Sequence, residues 1–350
     1  MRFSIRLNND LPLDRYPRLA RAAEDAGFDQ FWVSNDLFLR SVWVILAAAA
    51  QATRRIGLGT CIVTPYTMHV SEMAMAAGTL DELSGGRFSL GISSGADDFL
   101  RWVGIQAESP VTAVTESVRA LRRLFAGERG APDGRFLRRW TAEAYLRFAT
   151  RPIPIYLGAM GPRMLRAIGE VADGGLPLLF PPEHYANVIG YIQAGAERAG
   201  RSMGDVDVAA CIWCSISDDR EAAEAVLRDK IAYYGHALSP LILEQLGVER
   251  AELEPIQTAV MVDRDVARAR AMVTPTMLRI GVVGTAADLI PRLEGLAAMG
   301  VKHLSLGPPL GPDLLEAIEV LGRDVIPRFR EPAQGPGGRL PESGAPSFVQ

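Results

Sequence analysis

Cysteine is scarce, with three in 350 residues, and that excludes a disulfide framework in a chain of this size. His184, His236 and His303 do not stand at metal-ligand spacing, so they read as ordinary residues and no metal site is expected. Positive charge is not in excess: a net charge of −4 and a pI near 5.7 give no general attraction to nucleic acid or to an anionic membrane, and the expected partner is small. Long hydrophobic runs are missing as well. The most apolar stretch, Ser41 to Ala52, is bracketed by Arg40 and by Arg54 and Arg55 and falls far short of the ~20 residues of a membrane helix. The sequence begins directly on the strand-like Arg2-Phe3-Ser4-Ile5-Arg6-Leu7, without the apolar core of a signal peptide, which gives a cytoplasmic protein as the expectation. No Gly-x-Gly-x-x-Gly turn follows that first strand, which argues against a doubly wound dinucleotide-binding sheet.

What is present is alternation. Strand-like runs at Phe31 to Val33, Ile56 to Val63, Phe88 to Ile92, Ile153 to Leu157, Gly175 to Phe180, Val206 to Ile216 and His303 to Leu306 are separated by helix-like patterns. Those patterns include Leu13 to Ala26, Val111 to Leu124, Met164 to Ala172 and Ala286 to Met299. About eight such units predict an α/β chain closed into one (β/α)8 barrel with insertions, over residues 1–328. Gly127 to Arg151 breaks the rhythm and reads as a long connection. Its arginines (Arg129, Arg135, Arg138, Arg139 and Arg147) read as a solvated charge run. Residues 329–350, with Gly335-Pro336-Gly337-Gly338, are expected to form a disordered tail.

In such a barrel the reacting groups follow the C-terminal ends of the strands. Those positions are Arg6-Leu7-Asn8, Ser34-Asn35-Asp36, Cys61 to Thr64, Ser93 to Ala96, Gly158 to Gly161, and Leu179-Phe180. Gly158-Ala159-Met160-Gly161-Pro162 pairs glycines with a proline suited to the first turn of a helix, so its backbone amides can face an anion. Ser94, Gly95 and Ala96 are small enough to let a flat ring approach the backbone. Cys211-Ile212-Trp213-Cys214 invites a redox reading, but the alternation from Val206 to Ile216 is that of a strand, which turns the two sulfurs to opposite faces.

The segment Gly57-Leu58-Gly59-Thr60-Cys61-Ile62-Val63-Thr64-Pro65-Tyr66 carries a resemblance. It is similar to the Gly-Thr-Gly-Val-Thr-Asn-Pro-Tyr segment of the luciferase-like oxidoreductases, and within them to the coenzyme F420-dependent methylenetetrahydromethanopterin reductases. The likeness continues through Thr79 to Arg87, Ile153 to Pro162, Asp207 to Ala210 and Val283 to Thr285. It implies the deazaflavin F420 as cofactor and hydride transfer to an electrophilic carbon of a small molecule. It also implies a homodimer and a non-prolyl cis peptide at Cys61-Ile62 that backs the ring. Residues implied to bind the cofactor are Asn35, Cys61, Ile62, Val63, Thr64, Ser94, Gly95, Ala96, Gly158, Ala159, Met160, Gly161, Leu179 and Phe180. An FMN-dependent monooxygenase is the alternative, and a non-catalytic flavin-binding barrel the second alternative.

The chain departs from the reductases at three polar positions. Asn35-Asp36 stands where the family shows Asp-His, Arg6 replaces a glutamate on the first strand, and Ala96 replaces an aspartate after the fourth. Asp36 and Arg6 are therefore the candidate catalytic groups, expected to face one another as a buried ion pair.

Overall fold

Among the described residues ten strands form in chain order: β1 (Arg2–Leu7), β2 (Gln30–Val33), β3 (Gly57–Thr60), β4 (Phe88–Ile92), β5 (Ile155–Ala159), β6 (Gly174–Pro177), β7 (Asp207–Ile212), β8 (Cys214–Ile216), β9 (Val282–Gly284) and β10 (His303–Leu306). In this computed structural model, which describes residues 1–130 and 133–330, eight of them close a parallel barrel in the order β1-β10-β7-β6-β5-β4-β3-β2, while β8 and β9 pair as a separate ribbon. Every barrel strand except β7, which leads into β8, is followed by a helical crossover or connection, as parallel pairing requires.

The two faces of each strand divide by chemistry. Phe3, Ile5, Phe31, Val33, Leu58, Phe88, Leu90, Ile155, Leu157 and Leu304 point outwards and join one apolar core with the surrounding helices. That layer takes in the Val42–Ala52, Val70–Ser84 and Pro110–Phe125 helices. Inside the barrel the side chains are small or polar, apart from a plug of Trp32, Tyr156 and Leu176 with Ala209 and Cys211. Trp32 and Tyr156 meet edge to face at 5.1 Å between centroids. Glycine at position 59 is required by this plug, because a Cβ there would stand 2.1 Å from the Trp32 ring.

The barrel strands fall within two or three residues of their expected positions, with one exception. The run from Val206 to Ile216 is not a single strand. β7 stays in the barrel, the chain leaves it at Trp213, and β8 pairs with β9 instead. The cysteines nonetheless lie on opposite sides, Cys211 in the barrel plug and Cys214 in the outer core. After β8 comes a helical insertion that the sequence reading does not identify, with helices Arg220–Tyr234, Pro240–Leu246, Arg250–Met261 and Val266–Met272. It packs around its own apolar cluster of Leu227, Ile231, Leu243, Leu253 and Ile256, joined by Phe180 and Trp213.

Between Phe125 and Ile155 the described residues contain no helix or strand. Arg129 engages the loop itself, lying over the Tyr145 ring at 4.0 Å, while Arg151 pairs with Asp81 on the Val70–Ser84 helix. Regular structure runs two residues past the expected domain end: Phe329 packs on Phe3 at 5.7 Å, and Arg330 reaches the Gly27 carbonyl and Asp29. The rest of the expected tail, 331–350, lies outside the described residues.

Candidate active site

A cavity of about 700 Å³ opens at the C-terminal ends of the barrel strands, where α/β barrels build their sites. Of the residues singled out from sequence, Arg6, Asn35, Asp36, Cys61, Ile62, Thr64, Ser94, Gly95, Ala96, Gly158, Ala159, Met160 and Gly161 all line it. Val63, Leu179 and Phe180 do not. Val63 and Leu179 turn outwards into the main core, and Phe180 packs on Trp213 at 4.7 Å in the insertion's cluster. Strand parity accounts for Val63 and Leu179, since neighbours of an inward-facing residue point the other way, and Leu176 and Leu178 reach the cavity instead; Phe180, which parity alone would turn inwards, is drawn to Trp213.

The floor is the end of β3. Cys61-Ile62 is a non-proline cis peptide, as the resemblance implies, and both side chains rest on the Trp32 and Cys211 plug. Burial, and then the neighbouring Cys211, push the Cys61 thiol up to about 12, so it stays protonated at neutral pH and is no nucleophile. Where the strand ladder ends, side chains fasten the wall. Thr60 Oγ1 donates to the Gly91 carbonyl and accepts from the Gly91 amide, both at 2.9 Å. Thr64 Oγ1 donates to the Ser94 carbonyl at 2.9 Å, and Ser93 Oγ to the Gly158 carbonyl at 2.8 Å.

On the far wall β5 leads through Gly161 into the helix Pro162–Val171, with Pro162 at its first position and no side chain capping it. The amides of a helix's first turn have no intrahelical acceptor, and here they stand with the Arg163 guanidinium at the cavity wall. A Cβ built on Gly161 meets nothing within 4 Å. The space next to these amides is therefore open, and the positive end of the helix favours an anion in it.

The expected ion pair between Arg6 and Asp36 is absent. Arg6, only 4% exposed, donates through Nη2 to the carbonyls of Ile212 (3.1 Å) and Gly307, while its Nε has no partner. Asp36 is held by its backbone: Asn9 Oδ1 accepts from its amide at 3.1 Å and Asn9 Nδ2 donates to its carbonyl at 3.0 Å. Its carboxyl answers to a different cation. Burial raises the Asp36 pKa, Lys230 opposes the rise, and Asp10 adds to it.

Lys230 is the residue that sequence reasoning missed. It comes from the insertion helix Arg220–Tyr234 and lines the cavity with Tyr234 and Trp213. Its ammonium lies 4.3 Å from the Tyr234 ring centroid and 4.9 Å from that of Trp213. Burial and then the Arg6 charge push it down to about 8, against the pull of Asp36. A signal existed: of 37 basic residues only Lys230 and Lys302 are lysine, so a lysine inside a helical pattern stood out among arginines.

Residues 1–303 match the family described as luciferase-like monooxygenase. The 5,10-methylenetetrahydromethanopterin reductase of Methanolobus tindarius is 33% identical, covering 93% of this chain and 100% of its own length. That of Archaeoglobus fulgidus is 31% identical, covering 94% and 100%. The coenzyme F420 dependent tetrahydromethanopterin reductase of Methanopyrus kandleri superposes with a TM-score of 0.89 at 29% identity, over 94% of this chain and 99% of that one. With its closed barrel and this end-to-end agreement, the chain belongs to the luciferase-like monooxygenase family.

Proposed function

We propose that this protein is an F420-dependent oxidoreductase that moves a hydride between the deazaflavin and an electrophilic carbon of a small molecule. One observation carries the reading: a flat apolar floor at Cys61-Ile62 shares a cavity with an uncapped helix start at Gly161 to Met164, in a chain that matches the reductases over nearly its whole length. The residues present fit the group. Small side chains at Ser94, Gly95 and Ala96 leave a slot for a ring edge, and the amides beyond Gly161 with Arg163 suit a phosphate.

When bound, F420 supplies a carbon that gives or takes a hydride. The protein does the rest. Cys61 and Ile62 support one face of the slot and leave the side towards Lys230 and Tyr234 for the reacting partner. Asn9 fixes the backbone of Asp36, so its carboxyl is presented from a held loop. Burial favours the protonated form of that carboxyl, which makes Asp36 the group to hold or release a proton beside the acceptor. Trp213 and Tyr234 close the apolar side and exclude water. The same reading carries with it a cytoplasmic enzyme, working as a homodimer.

Absorbance titration of the purified protein with F420 and, separately, with FMN tests this. Saturable binding of F420 in preference to FMN, with bleaching of the bound deazaflavin on reduction, is the expected result. Preference for FMN would overturn it in favour of a monooxygenase, and binding of neither would leave a non-catalytic barrel.

A further inference from the structure

Two cations face the cavity from the side opposite the helix start at Gly161. Arg6 sits near the end of β1, which lies four strands from β5 in the closed barrel. Lys230 comes from the insertion that follows β8. Neither has a carboxylate within ion-pair distance among the described residues. Arg6 spends one nitrogen on two neutral carbonyls and leaves its buried Nε unpartnered, although a guanidinium offers five donors. The Lys230 ammonium rests on two aromatic faces, which attract a cation but accept none of its hydrogen bonds in the ordinary sense. Holding a buried guanidinium donor without a partner is costly, and a second, part-buried cation in the same cavity raises that cost, as the downward push of Arg6 on Lys230 records. Asp36 and Asp10 act on Lys230 only at longer range, and neither comes within ion-pair distance of either cation.

We propose that Arg6 and Lys230 form an anion site on the acceptor side of the cavity, and that the molecule reduced or oxidised there carries a carboxylate. The word "reduced" rests on the hydride-transfer reading above; the anion site itself does not. A carboxylate suits both groups, since its two oxygens have lone pairs for Arg6 Nη1, the guanidinium nitrogen that is neither hydrogen-bonded nor buried, and for the ammonium together. Trp213, against the ammonium, and Pro308, next to the Gly307 carbonyl that Arg6 meets, suit an apolar body attached to it. The site is separate from the amides beyond Gly161, because those stand across the barrel.

The test uses benzoate and benzamide, which share a shape and differ in charge, titrated calorimetrically into the protein saturated with F420 so that the helix start is occupied. Benzoate is expected to bind at least about tenfold more tightly than benzamide, the size of one hydrogen bond to a charged group. Lys230→Met is expected to abolish that preference while F420 still binds. Arg6→Lys, which keeps the charge but loses the guanidinium fork, is expected to weaken it. Affinity for benzoate no greater than for benzamide, including no measurable binding of either, overturns the proposal. So does a preference that survives Lys230→Met intact. If F420 itself fails to bind, the hydride-transfer reading falls, and the same titration into the protein alone still decides whether the anion site exists.

Discussion

His303 Nδ1 stands 2.9 Å from Asp207 Oδ2, and this contact closes the barrel at the end away from the cavity. The other ring nitrogen, Nε2, is 2.9 Å from Ser4 Oγ, while Asp207 also accepts from Arg2 at 2.5 Å and from the Tyr156 hydroxyl at 2.8 Å. The order Ser4, His303, Asp207 is that of a nucleophile, its base and an orienting carboxylate. Chemistry is nonetheless excluded there, because Ser4 and His303 are both 0% exposed and the site lies at the face of the barrel that serves stability.

The network is expected to hold the strands together. Asp207→Asn keeps an acceptor oxygen but removes the charge shared by three donors, and should cost about 1–3 kcal/mol, with no change in F420 affinity. Burial alone would raise the Asp207 pKa, but His303, Arg2 and Tyr156 together hold it below the usual value. A depressed carboxylate contributes stability above its unfolded pKa and loses it as pH falls through the folded one. Denaturant melts of the wild type and Asp207→Asn should therefore differ at pH 7 and converge as the pH falls below the ordinary carboxylate range. A constant gap would mean that His303 and Arg2 do not act through the charge.

Lys230 works in the opposite sense. Its folded pKa lies near 8, below the 10.5 of a free lysine, so the unfolded chain binds the proton more tightly between those values and stability rises with pH in that window. Lys230→Met removes the buried ammonium. It should be more stable than the wild type at pH 7, by up to about 3 kcal/mol, with the gap narrowing by pH 10. Thermal melts across that range would show it, and a variant less stable at pH 7 would mean that packing on Trp213 outweighs the charge.

Asp36→Asn keeps the shape and the Asn9 contacts but loses the ionisable group. Turnover should fall by about 10²–10⁴, as for a lost acid or base, with F420 affinity nearly unchanged. Reoxidation of reduced F420 by an acceptor found in a metabolite screen is the measurement, and equal turnover would move the proton chemistry elsewhere in the cavity.

Gly161 has φ −89° and ψ 154°, a conformation open to any residue, and free space where a Cβ would stand. Gly161→Val should fold with unchanged stability yet bind F420 at least about tenfold more weakly, because its methyl groups fill the space beside the first-turn amides. Unaltered affinity in the folded variant would place the phosphate elsewhere.

The barrel was legible because its outward positions repeat with period two and its crossovers with the period of a helix. β1, β4 and β10 fall where the alternation puts them. The glycine and small-residue turns were legible for a related reason, since few sequences permit such backbone. Other parts were hidden. Parity within a strand end cannot be read where the strand bends, which is why Val63, Leu179 and Phe180 were grouped with inward neighbours. The turn of the chain at Trp213 carries no Gly or Pro to mark it. The cation that acts on the Asp36 carboxyl at longer range lay nearly two hundred positions away, on an insertion whose place over the cavity no local pattern records.

Trp213, Lys230 and Tyr234 are anchored in the insertion's own apolar cluster, whereas Cys61 and Ile62 rest on the barrel plug. The two halves of the cavity thus draw their rigidity from different foundations. Under the proposed function, substitutions that reshape the insertion should alter which acceptor is taken without loosening the slot for the carrier.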